Sequence, residues 1–144
     1  MDNLPEKWIR KAVSEAVGAF YIGDYLVKIF DTRVPAIELE NDAFVIMSTQ
    51  LTRESDNSKC GYIWESSLLL DITTIYRKPG NPGSRLLVDD ITQEVKDSLD
   101  GLQLDVASGM SIINMDLEYP PGIFSSTKSE NAFRKFIRIT LKIN

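Results

Sequence analysis

The sequence predicts an α+β domain: a mainly antiparallel sheet with an N-terminal helix and a second helix packed on one face. Three observations predict it. Apolar residues recur every three or four positions near the start of the chain and again in its middle. Strand-like runs occupy much of the rest. The order then reads helix, one or two uncertain strands, hairpin, helix, hairpin.

The first helix rests on Trp8, Ile9, Ala12, Val13, Ala16, Val17 and Phe20, which form one stripe. Pro5 suits the first turn, where its missing N–H costs nothing, and Asn3 is a nearby cap. Gly18 and Gly23 place the end of this helix around Phe20 to Ile22. Tyr25 to Phe30 is either a short strand or an irregular segment. Ala43 to Gln50 is apolar on both faces and reads as a buried strand. Thr52–Lys59 is a polar hairpin loop. Cys60 to Tyr76 is a long strand whose core face carries Trp64, Ser66, Leu68, Leu70, Ile72 and Thr74. Asp71 and Glu65, on its other face, are expected to pair with Arg134 or Arg138.

Leu87, Ile91, Val95 and Leu99 repeat every four residues, with Leu86, Val88 and Leu102 widening the stripe. Ser84 is a candidate cap, Asp89, Asp90 and Glu94 suit the helix dipole, and Gly101 suits the stop. The last pair of strands spans Ser111 to Tyr119 and residues 132–143. In the former, Ile113, Met115, Leu117 and Tyr119 share one face. In the latter, Phe133, Ile137, Ile139, Leu141 and Ile143 do. Between them PPGIFSSTKSEN reads as a long loop. Its Ile123 and Phe124 either tuck onto the sheet or dock on a partner chain.

Length and composition suit one domain, residues 1–144: 43% of residues are hydrophobic and 26% charged. No apolar run reaches the roughly 20 residues of a membrane span, and the start MDNLPEKWIRK does not read as a signal peptide. The expectation is a chain folded in a cytoplasm, without a membrane partner. A net charge of −5 argues against a nucleic-acid binder. There is no histidine, which removes Ser-His-Asp and Cys-His catalysis and histidine-ligated metals. The single cysteine, Cys60, excludes an internal disulfide. The stretch RKPGNPGSR precedes a helix, as a phosphate loop would, but Pro79 and Pro82 each delete an N–H such a cradle needs. It reads as a connector. Asp89 and Asp90 point about 100° apart on a helix and do not converge on one ion. No cofactor, metal or catalytic residue is expected.

The succession of PEKWIRKAVSEAV, RVPAIELENDAFVIMS, the tip TRESDNSK, the strand ending DITTIYRK, VDDITQEVKDSLDGL, and the final pair SIINMDLEYPP and AFRKFIRITLKIN resembles the tail-terminator and tail-completion (neck) proteins of tailed bacteriophages. The resemblance covers nearly the whole chain as a pattern rather than as a diagnostic motif. It implies a structural virion subunit without catalytic residues. Such a subunit joins copies of itself in a ring, commonly a hexamer, at the head–tail junction, beside other neck and tail proteins. DNA passes through the lumen without sequence-specific binding. The implied location is the virion, after assembly in the host cytoplasm. Interface residues are then expected at Arg53, Glu54, Asp56 and Lys59, at Arg77, Lys78 and Arg85, and at Ile123, Phe124 and Lys128. The alternative is a small α+β module that binds a protein or small ligand, which a deep apolar pocket with converging polar groups would favour.

Overall fold

The computed structural model describes residues 4–32, 41–55, 63–77 and 83–144. Helix α1 spans Glu6–Val17 and buries Ile9, Ala12, Val13 and Val17. Pro5 precedes it and accepts the Ile9 N–H at 3.0 Å; Asn3 lies outside the described residues. The helix stops at Val17, earlier than the apolar stripe predicts. Gly18 takes φ 59°, a left-handed value that ends the helix. Ala19–Ile22 then forms strand β1, which turns at Gly23-Asp24 and pairs antiparallel with β2, Tyr25–Asp31. Gly23 has φ 58°, the positive angle that a tight two-residue hairpin turn requires at its first central position. Phe20 and Ile22 still pack on the core, but at a period of two.

Strand β2 lies parallel to β3, Asn41–Ser55, and β3 pairs antiparallel with β4, Ile63–Tyr76. The pairing continues past Gln50, so Arg53 and Glu54 are strand residues opposite Glu65 and Trp64 rather than loop residues. Cross-strand bonds explain the extension: Thr52 and Ser66 hydroxyls lie 2.9 Å apart, and Arg53 donates to Glu65 at 2.7 Å. A bulge interrupts β3 between Met47 and Gln50. Arg10 of α1 caps it, donating to the Ser48 carbonyl at 2.8 Å and to Gln50 Oε1 at 2.9 Å while pairing with Asp31. Carbonyls released by the bulge thus find a charged donor.

Helix α2 spans Arg85–Ser98, and Ser84 caps it by accepting the Leu86 N–H at 3.1 Å. Its first turn carries no acidic residue, contrary to the dipole reading; Asp89, in the second turn, pairs instead with Lys135. Beyond a 3-10 turn at Val106–Ser108 come β5 (Ile112–Glu118), β6 (Ile123–Ser126) and β7 (Asn131–Ile143). The sheet order is β1-β2-β3-β4-β7-β5, with β6 also paired to β7. The expected long loop is therefore mostly a strand and a tight turn. Thr127 closes that turn, donating its N–H to Glu130 at 2.8 Å and accepting the Glu130 N–H at 3.1 Å. A register shift between Ile112 and Asn114 puts Ile112 against the core and turns Ile113 outward, off the face shared by Met115 and Leu117.

Both helices pack on one face of the sheet. Leu68, Leu70 and Ile72 of β4 and Ile137, Ile139 and Leu141 of β7 are fully buried against Ile9, Val13, Ile91 and Val95. Each such side chain contributes roughly 1.5–3 kcal/mol on burial. Trp8 and Trp64 border this core, half-buried.

Candidate assembly surfaces

The expected interface residues fall at opposite ends of the sheet. Arg53 and Glu54 sit at the hairpin end. Arg77, Arg85, Ile123, Phe124 and Lys128 sit at the other, beyond Tyr76 and around β6. The twelve residue steps from Trp64 to Tyr76 separate the groups by about 40 Å at 3.3 Å per residue. Asp56, Lys59 and Lys78 lie outside the described residues.

At the β6 end an aromatic chain sets the geometry. Phe124 stacks on Phe133 with ring centroids 4.8 Å apart, and Tyr76 meets Phe133 edge-on at 6.1 Å. The Tyr76 hydroxyl donates to the Ser84 carbonyl at 3.2 Å. Burial pushes the Tyr76 pKa up. A Cβ on Gly83 would come within 2.3 Å of the Tyr76 ring, and Gly83 has φ 72°. The described part of the RKPGNPGSR connector is thus clamped to the strand it leaves. Arg77 reaches Glu130 at 3.5 Å, tying the connector's first residue to the turn after β6. Arg85 and Lys128 are exposed.

Phe124 tucks onto Phe133, the first of the two expected alternatives, and still stays 57% exposed, with Ile123 beside it 49% exposed. Two residues not singled out from the sequence join them. Ile113 and Tyr119 on β5 and just past it are also more than half exposed. Among the described residues, four of the ten exposed large hydrophobic side chains therefore lie along one sheet edge. The bulge that turns Ile113 outward left no mark in the alternation. The opposite edge, β1, has α2 packed close to it, which is one way proteins protect an edge.

The sheet face away from the helices holds a half-buried ion pair. Arg134 donates to both Asp71 carboxylate oxygens, and Asp71 is 6% exposed. This is one of the pairings expected from the strand alternation; Glu65 pairs with Arg53 instead. The Asp71 hydrogen bond holds Arg134 above its ordinary pKa, and Phe136 lies 5.4 Å from the guanidinium.

An open hollow of about 610 Å³ lies between Gly101 and Ile112, walled by Leu102, Leu104, Val106 and Met110 with no charged side chain. Among the described residues no group of three or more His, Cys, Asp or Glu side chains is placed to hold a metal ion. No described helix is long and apolar enough to cross a membrane.

No protein-family model matches the chain, and no curated protein matches it. Among solved structures, a chain from the virion of a native gene transfer agent particle is similar over 95% of this chain and 90% of that one. The sequence identity is 12% and the TM-score 0.48.

Proposed function

We propose that the chain is a non-enzymatic structural subunit of a phage-like particle, a neck or tail-terminator-like ring component at the head–tail junction. The observation that carries this reading is the gathering of exposed apolar side chains, Ile113, Tyr119, Ile123 and Phe124, along a single sheet edge. An edge of this kind favours contact with another chain. The succession of elements, which resembles the neck family, supports the same reading. Head-to-tail contacts would close the ring. They use the hairpin end at one side and the Arg77, Arg85 and Lys128 end at the other. The acidic balance of the chain suits a lumen that repels the DNA backbone. The Gly101–Ile112 hollow is the feature a ligand-binding module would use. It lacks the converging charged groups that fix a small ligand, which favours assembly.

The test is the mass in solution, with negative-stain images. Rings of about six 16.2 kDa copies are expected, alone or with tail proteins present. Strict monomers that also fail to join tails sink the proposal. Charge reversal at Arg77 is expected to weaken assembly more than folding, since its pairing with Glu130 is half-exposed to solvent.

A further inference from the structure

We infer that two copies of the chain pair edge to edge about a two-fold axis, β5 of one copy against β6 of the other. The inference does not rest on the ring reading. It starts from the backbone. Strands β5 and β6 run in the same direction along the same side of β7. Four residues, Tyr119-Pro120-Pro121-Gly122, bridge them where β7 spends three, so the edge is interrupted at its midpoint by one extra residue and two positions without an N–H. Ser111 and Asn144 exchange two backbone hydrogen bonds at one end, and Thr127 donates to Glu130 at the other. Both bonded pairs fall on even positions of the β7 side. Alternation then makes every even β7 position bond toward this edge, and the residues opposite its odd positions point their N–H and C=O outward.

Those outward residues are Met115, Leu117, Phe124 and Ser126, opposite Leu141, Ile139, Phe133 and Asn131. Leu117 and Phe124 lie three residues to either side of Phe136, and Met115 and Ser126 five. The edge is therefore symmetric about its own midpoint. A two-fold rotation there sets Leu117 against Phe124 of the second copy and Met115 against Ser126, giving four hydrogen-bonded residue pairs in all. Asp116 faces Ser125, and Glu118 faces Ile123 beside Arg134. Charge selects this register: sliding the copies until β5 meets β5 sets Asp116 and Glu118 against their own kind, which destabilises. The exposed Ile113, Tyr119, Ile123 and Phe124 then lie along the seam. Ile123–Ser126 carries no proline, lysine or bulge; Pro120 and Pro121 lie in the bridge at the axis and the β5 bulge lies at Ile112 to Asn114, so both fall outside the four paired positions.

The test is cysteine cross-linking of the full chain with Cys60→Ser as background. Asp116→Cys with Ser125→Cys places two thiols directly opposite across the seam, within disulfide reach. Within one copy they are eight β7 positions apart, about 26 Å, and cannot join. A covalent dimer from the double variant and none from either single variant is expected. A double variant that stays monomeric, or single variants that cross-link equally, overturns the inference. Hydrogen exchange on the unaltered chain gives a second reading. The Leu117 and Phe124 amides become protected as protein concentration rises; protection independent of concentration overturns the inference. Rings without the cross-link reject this pairing and leave the ring reading intact. Cross-linked dimers that never yield rings, with or without tail proteins, do the reverse.

Discussion

The two faces of β4 are buried by different means. On one face Leu68, Leu70 and Ile72 lie under helices α1 and α2 and exclude water through aliphatic packing. On the other, Asp71 and Thr73 are almost as deeply covered, at 6% exposure each, yet the cover at Asp71 is the long Arg134 side chain of the neighbouring strand. Burial fractions therefore hide a difference in kind. The first face depends on volume, the second on a charge that is matched.

Substitutions break the comparison in order of size. Leu70→Ala is expected to cost about 2–5 kcal/mol, the usual loss for a cavity in a closed core. Leu69→Ala, one position along and only half-buried, is expected to cost well under half of that. Equal losses in denaturant unfolding would mean that the second face is packed as tightly as the first. Arg134→Ala is expected to cost about 1–3 kcal/mol, because it strands a buried carboxylate; the partial exposure of the arginine keeps the loss below that of a deep ion pair. Arg53→Ala on the same sheet face is expected to cost less than about 0.5 kcal/mol, since its side chain is 69% exposed. Similar losses at the two arginines would remove the distinction.

The smallest effect is expected at Lys11–Asp105, an exposed pair joining α1 to the 3-10 turn at 2.6 Å. Lys11 and the Ala107 N–H hold Asp105 below the usual carboxylate range, so its stabilisation is present above the unfolded carboxylate value. It is lost as pH falls through the lower, folded value. Lys11 is held above the usual lysine range by the same partner, and its share is lost as pH rises through that raised value. Thermal unfolding of Asp105→Asn against the unaltered chain is expected to show a slight difference at neutral pH that vanishes in acid. A difference that persists in acid would assign Asp105 a structural role beyond its charge.

The same contrast explains what the sequence shows and what it conceals. Strand β7 alternates Ile137, Ile139 and Leu141 with charged or polar neighbours, so its core face is legible without coordinates, and so is the α1 stripe. Phe20 is ambiguous because it fits both the helical stripe and a strand; the φ of Gly18 decides, and that angle belongs to the turn from α1 into β1. Strand β6 hides because two apolar residues in a polar run carry no period. The open face is half-legible. The alternation puts Asp71 within reach of Arg134, but which of two arginines it takes depends on register. The bulges at Met47 to Gln50 and Ile112 to Asn114 leave no local signature, and with them go the Arg10 contact and the outward turn of Ile113.

The position of β7 has a consequence for synthesis. It is the last strand of the sequence, yet it lies between β4 and β5 in the sheet order and also carries β6. While a ribosome is still adding residues before Asn131, β4 has one side unsatisfied and β5 and β6 have no strand to join. Half of the aliphatic floor beneath α2 is also missing. The hairpin of β3 and β4 can form early, but the domain as a whole closes only when its final thirteen-residue strand has emerged and threaded into the gap left for it.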